Sequence, residues 1–385
     1  MKSGWVIKKL GEVCELIGGG TPSIHESSYY GGNIPWATVR DMNCRVIEKT
    51  ERTITRKGLE NSASNVIPAG NVIISTHVGL GKVCFVAQDT AINQDLKGVI
   101  PLADTIQRSF LYYWFLSIAE YLEKSGTGST VRGVKLDFVK NLEFPVPSLP
   151  EQKRIVAKID AAFEKIDKLK ANAERNLKNA KELFQSALDE AMRPKKGWVE
   201  KRLGEVGPVC MCKRILKSET NESGGVPFYK IGTFGKTPNA YISEETYRRY
   251  RELYKFPRKG EILISAAGTI GRTVVYDGEP AYFQDSNIVW IANDETKVSN
   301  AYLQWYYKTS PWCVTKGATI PRLYNDNITS AAIAIPPIAE QRQIVKRLDF
   351  LAEKVKVLEQ HYTRQIADCA EMRQSVLRDA FEGRL

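Results

Sequence analysis

Two long stretches of the chain repeat apolar residues at intervals of four and three. After SLPEQ (148–152), apolar side chains fall at Ile155, Ile159, Ala162, Ile166, Leu169, Ala173, Ala180 and Ala187. After PIAEQ (337–341), they fall at Ile344, Leu348, Leu351, Val355, Leu358, Tyr362, Cys369, Met372 and Val376. Such spacing is the heptad stripe of a helix that packs on another helix. Each stretch is predicted to be one helix of roughly 40 residues, about 60 Å long. Ser148 and Glu151 form a capping-box pattern at the first start, where the second has Pro337. Pro194, Lys195, Lys196 and Gly197 end the first helix. A single apolar stripe needs a partner, and an antiparallel coiled coil of the two helices supplies one.

The remaining sequence has shorter periods. VIIS (72–75) and ILIS (262–265) are apolar runs entered from a glycine, as buried strands would be. Residues 110–122 and 302–307 are aromatic-rich and read as helices whose rings belong to a core. The expected fold class is α+β, with two globular regions at 1–150 and 196–339. The spacer helices occupy 151–195 and 340–385.

Aligning the chain on itself shows that the globular regions are copies of one plan. GWVIKKLGEV (4–13) returns as GWVEKRLGEV (197–206), and NIPWATVRDM (33–42) is echoed by GVPFYKIGTF (225–234). GNVIISTHVGLGKV (70–83) is echoed by GEILISAAGTIGRT (260–273), and Gln94-Asp95 by Gln284-Asp285. GSTV (128–131) is echoed by GATI (317–320), the Glu-Gln helix starts follow, and QSALDEA (185–191) returns as QSVLRDA (374–380). Seven collinear blocks exclude chance, and the period is too long for a solenoid. The spans between blocks diverge. Residues 43–65 and 235–256 are polar, basic and aromatic, the composition of loops that carry recognition or of an unselected surface.

Composition adds two constraints. The 385 residues carry 55 Lys+Arg against 44 Asp+Glu, a formal charge of +11. A surplus of this size is what a polyanionic partner, nucleic acid foremost, would call for, and equally what a solvated surface with a few extra lysines would show. Seven cysteines and three histidines lack the spacing of a zinc site, so reduced thiols in a cytoplasm are expected. The longest strongly apolar segment, FLYYWFLSIA (110–119), is too short for a membrane span, and MKSGWVIKKLGEV has no secretory h-region.

Catalytic templates do not fit. Gly79-Leu80-Gly81-Lys82 lacks P-loop spacing, and Gly18–Ser23 is not a dinucleotide fingerprint. No methyltransferase cofactor signature or catalytic tetrad occurs. A nuclease-like Asp89, Asp95, Lys97 set can be drawn in copy one, but copy two has Asn287 in place of the lysine. A non-catalytic binding protein is the expectation; methylation or cleavage by the chain alone would argue for an enzyme, and indifference to competitor DNA for a bare scaffold.

The blocks GWVxKxLGEV, Ser75…Gly81 and Ser265…Gly271, GST or GAT before the Glu-Gln start, and QSxLxxA together resemble the specificity (S) subunit of type I restriction–modification enzymes. The resemblance covers nearly the whole chain in both copies. Val131-Arg132-Gly133 departs from the Ile-Pro-Arg form kept at 320–322. The resemblance implies that each globular region is a target recognition domain reading one half of a bipartite, asymmetric site in double-stranded DNA. The helices would set the gap and dock two modification (M) subunits. Those would supply S-adenosylmethionine and adenine methylation; restriction (R) subunits, where present, would use ATP and Mg. No cofactor would sit on this chain. Two readers on one side of the duplex should lie about 10 bp apart. Within the resemblance, the DNA-contact candidates are Thr21, Ser23, Arg40, His77, Lys82, Thr130, Arg132 and Lys135 in copy one. In copy two they are Lys213, Lys230, Lys236, Arg272, Arg322 and Asn325.

Overall fold

The run VIIS is apolar throughout because the strand Val72–Ser75 is covered on both faces. Val72 and Ile74 point into one core with Phe110, Leu111 and Ile155, while Ile73 points into another with Cys84, Val86 and Ile92. Period-two alternation thus makes one strand serve two layers. Its counterpart Ile262–Ser265 behaves alike: Ile262 and Ile264 face Tyr302, Leu303 and Leu348, and Leu263 faces Phe228 and Tyr282.

The computed structural model describes residues 5–128, 132–309, 312 and 322–385. The chain divides into two compact units, Met1–Glu174 with Thr363–Leu385, and Arg175–Tyr362. In the first unit a five-stranded sheet has the order Cys14–Gly18, Leu96–Pro101, Val72–Ser75, Val83–Val86, Val46–Ile47. Beside it lies a four-stranded sheet ordered Arg52–Ile54, Tyr30–Ala37, Thr90–Ile92, Asn65–Ile67. The second unit has two four-stranded sheets, one built around Ile262–Ser265 and Ile288–Ile291, the other around Val226–Tyr229. In each unit a further antiparallel strand pair closes the globular part: Val6–Lys9 with Glu143–Val146, and Val199–Arg202 with Ala332–Ile335. No helix among the described residues is long and apolar enough to cross a membrane.

The two stripes form helices of 44 residues each, Leu149–Met192 and Ile338–Phe381. Within the first unit the start of one and the end of the other pack antiparallel. Arg154 Nη2 donates to the Leu385 carbonyl at 2.9 Å, and Asp167 pairs with Arg373. The Arg373 guanidinium lies 4.0 Å from the Phe163 ring centroid. Ile155, Ile159, Phe163, Ile166, Cys369, Leu377 and Ala380 share one core. Within the second unit, Leu188 and Ala191 share a core with Ile344 and Leu348.

The stripe differs in detail from the expected one. Leu169, Leu358 and Met372 are 53%, 40% and 45% exposed. Near its start the first helix is covered by the globular part as well, so its buried face widens to include Val156 and Phe163. Past Ile166 that cover ends, and in this unit only Ala173 stays buried. A 3.6-residue turn also drifts by about 20° per heptad from a strict seven-residue repeat.

The recurring Glu-Gln has a structural reason beyond starting a helix. Gln152 is fully buried; its Oε1 accepts from the Gln107 N–H at 2.8 Å, and its Nε2 donates to the Thr105 and Pro147 carbonyls at 2.9 Å each. Gln341 repeats this with the Ser299 N–H (2.9 Å) and the carbonyls of Lys297 (2.8 Å) and Pro336 (2.9 Å). A second joint follows two turns on. Asp160 accepts from the Tyr113 hydroxyl, and Asp349 from Trp305 Nε1 at 2.9 Å. Each globular part is therefore locked to its long helix by a buried amide and by a ring on a carboxylate.

Candidate nucleic-acid interface

Most neighbouring strands here are antiparallel, but in the first unit Trp36 and Ala37 pair in parallel with Ala91 and Ile92. Parallel strands end on the same edge, so residues 38–43 and 93–95 emerge side by side. Ser75 pairs with Leu96, which opens the loop 76–82 on that edge too. Backbone bonds fix the junction: the Asn93 N–H donates to Ala37, Thr76 to Asp95 and Val134 to Thr76, at 3.1, 2.9 and 2.9 Å. Four segments distant in sequence thus form one surface.

The loop 76–82 keeps its shape through Ser75, whose buried hydroxyl donates to the Val78 carbonyl at 2.5 Å. Gly81 takes φ +88°, and a Cβ there would stand 3.0 Å from the Ala119 carbonyl oxygen. The serine and glycine of the repeated block are therefore demanded by the backbone. Ser265 and Gly271 repeat the device; the serine donates to Thr269 at 2.5 Å, and Gly271 has φ +77°.

The candidate side chains gather unevenly. Arg40 is 76% exposed beside Glu51, at 3.9 Å. Lys82 Nζ donates to Asn43 Oδ1, and Asn43 Nδ2 to the Arg40 carbonyl, both at 2.8 Å. His77 Nδ1 lies 4.0 Å from Asp95 Oδ1. Thr21 donates to Gln94 Oε1. A cleft of about 260 Å³ opens among Thr38, Arg40, Arg52, Val78, Asn93 and Asp95. Arg132 and Lys135 are exposed on the strand-like segment held by Thr76. The Ser23 carbonyl instead accepts from the Glu26 N–H at 3.2 Å. Thr130 lies outside the described residues. Of the nuclease-like set, Asp89 precedes the strand Thr90–Ile92 and binds the Ala69 N–H at 2.9 Å, whereas Asp95 follows it. Lys97 spends its amine on the Gln94 and Leu96 carbonyls at 2.7 and 3.1 Å, and burial holds it below its ordinary value. Those three groups do not converge.

The second unit builds the same edge with other side chains. Phe228 and Tyr229 pair in parallel with Tyr282 and Phe283, bringing 230–236 beside 284–287. Arg272 Nη1 donates to the Phe234 carbonyl at 3.0 Å, and its N–H to Ser265 Oγ at 2.9 Å. The Lys230 N–H donates to Thr233 Oγ1 at 3.1 Å, and the Lys236 N–H to the Thr233 carbonyl at 2.9 Å. Gln284 Oε1 accepts from the Ile231 N–H at 2.9 Å. Arg322 Nη2 donates to the Ser286 carbonyl at 3.0 Å; Ser286 holds φ 54°, a left-handed conformation rare outside glycine. Asn325 is exposed where the short helix Asn325–Thr329 begins.

Lys213 belongs elsewhere. Its Nζ lies 5.1 Å from the Tyr254 ring, and Tyr254 shares a cleft with Arg258 and Lys259, which precede the strand Ile262–Ser265. Arg272 follows that strand. Arg214, next in sequence to Lys213, by contrast bonds Asp285 at 2.9 Å on the edge that carries 230–236 and 284–287.

Cations together with amide and carboxylate side chains on one edge can hold phosphates and read base edges. As DNA-contact candidates, sequence reasoning passed over Asn43, Asn93, Gln94, Asp95, Arg214 and Asp285. For Gln94, Asp95 and Asp285 the signal was the repeated Gln-Asp pair, which pins loops together in both units. Among the described residues no group of three or more His, Cys, Asp or Glu could hold a metal ion.

Comparison with known proteins gives one family. The profile described as Type I restriction modification DNA specificity domain matches twice, at residues 2–179 and 195–366. S.HindORF215P of Haemophilus influenzae, named for a type I restriction enzyme specificity subunit, is 63% identical over 147 residues, 38% of each chain. The MjaIX specificity subunit of Methanocaldococcus jannaschii is 28% identical over 366 residues, covering 86% of this chain and 83% of its own. A chain solved in a study of assembly and conformational transition of the type I R-M system superposes with TM-score 0.81 at 23% identity, covering 100% of this chain and 99% of its own. The HsdS subunit from Thermoanaerobacter tengcongensis gives 0.61 at 24%, covering 100% and 98%. At such identities these two support the fold.

Proposed function

The chain belongs to the type I restriction modification DNA specificity family, with two copies of the domain, and from that premise we propose that each copy reads one half of a bipartite DNA site. The chain is a DNA-recognition component and not itself the catalyst. The observation that carries the half-site reading is the pair of reading edges. Both are built from one topology, a parallel strand pair opening two loops beside a third from the adjoining sheet, yet they present different side chains: Arg40, His77 and Lys82 in one, Arg272, Arg322 and Lys230 in the other. Identical edges would favour a palindrome; unlike edges favour two unlike halves.

The long helices set the unspecified gap in this reading and dock two modification subunits. S-adenosylmethionine resides on those partners, and ATP with Mg on restriction subunits. The charge of +11 supplies the sequence-independent attraction to the duplex. Expression with the methyltransferase partner, followed by sequencing of the modified genome, tests this. One adenine-methylated motif with two different halves and a fixed gap is expected. A continuous or palindromic motif would sink the two-reader account.

A further inference from the structure

Arg45 lies between the reading segment 38–43 and the strand Val46–Ile47, and its side chain reaches the first long helix. Its Nη1 bonds Asp160 Oδ1 on the first long helix at 3.1 Å. Its guanidinium carbon stands 5.2 Å from the Tyr113 ring centroid and 5.4 Å from that of Tyr112. Tyr113 donates to the same carboxylate oxygen. The Arg45 carbonyl accepts from the Phe85 N–H at 2.9 Å, and the Cys84 thiol lies 2.8 Å from the Cys44 carbonyl. Two residues upstream is Asn43, which holds both the Lys82 amine and the Arg40 carbonyl. An unbroken run of contacts therefore leads from the long helix to two DNA-facing cations.

The ion pair is half exposed, 47% at Arg45 and 43% at Asp160. Pairs so exposed contribute little to stability. Its weight is geometric. In the second unit Asp349 takes Trp305, and the cation there is Lys308, 4.0 Å from the Trp305 ring. Lys308 sits on the same helix as that tryptophan, Asn300–Lys308, not on the reading segment 230–236.

We propose that Arg45 is a positioning residue for DNA reading by the first unit, fixing segment 38–45 on the long helix so that Arg40 and Lys82 are presented in one arrangement. The proposal rests on the DNA-facing assignment of 38–43 given above. The test uses the full chain with R45A and R45K. It measures amide hydrogen exchange across 38–45, and affinity for the cognate duplex against duplexes altered in either half, over a salt series. For R45A, exchange across 38–45 is expected to rise at least about tenfold and discrimination of the first half to fall by a similar factor, the scale of one mismatched base pair. Discrimination of the second half and the salt slope should stay as they are, because no phosphate contact is lost. R45K, which keeps the ion pair on a more flexible stem, should recover part of both losses. Unchanged exchange in R45A overturns the tie itself. A salt slope reduced by about one would make Arg45 a phosphate contact, and overturns the proposal differently. Faster exchange with the first half read as before overturns the role in reading and places the fault in the DNA-facing assignment of 38–43.

Discussion

Arg322 and Lys82 meet the reading edge in different ways, and their variants should differ accordingly. Lys82 is held by one neutral amide, with its charge available to a phosphate. Lys82→Ala should weaken binding to all sequences alike and lower the salt slope by about one. Arg322 is half-buried and supports the carbonyl of a serine in an unusual conformation. Arg322→Ala should cost about 1–3 kcal/mol of binding and relax discrimination in one half-site. Fluorescence anisotropy at several salt concentrations separates the two; an affinity unchanged throughout the series would remove Arg322 from the interface. Sequence reasoning chose cations because charge is visible in a sequence. It could not see that the adjacent residues Lys213 and Arg214 part to different clusters, since side-chain direction in an irregular segment has no period.

At the level of elements, the helices and the central strands were legible, because a 3.6-residue stripe and a doubly buried apolar run are properties of local sequence. The role of the Glu-Gln pair was only half legible. It marks a helix start, but its glutamine binds main chain some 45 residues earlier (152 against 107), and no local pattern reports such a partner. Gln152→Ala would strip three hydrogen bonds and leave buried backbone groups unpaired, a loss of about 2–5 kcal/mol in denaturant unfolding, with Gln341→Ala comparable. Leu169→Ala should stay within about 0.5 kcal/mol, despite its place on the predicted stripe, since its side chain is exposed. A neutral Gln152→Ala would mean that the joint is held elsewhere.

For the molecule as a whole, the thiols set an alkaline limit. Burial raises Cys14 and Cys84 in the first unit, and Cys212 in the second, from an ordinary 9.0 to about 12. A raised value favours the folded state while the unfolded thiol stays protonated, so this stabilisation is complete below pH 9 and is lost between about 9 and 12. Thermal melts at constant ionic strength should be level up to pH 9 and fall steeply beyond it; a level course to pH 11 would contradict the buried placement of these thiols. The glutamine joint has its own consequence at this scale. Thr105, Gln107 and Pro147 offer it only carbonyls and an amide, which nearly any residue would offer in their place. A genetic crossover at the Glu-Gln codons would therefore rebuild this socket around whatever globular body arrived, and the incoming body would have to match the helix only further along, with a ring donor for Asp160 or Asp349 and apolar side chains for Ile155 and Phe163.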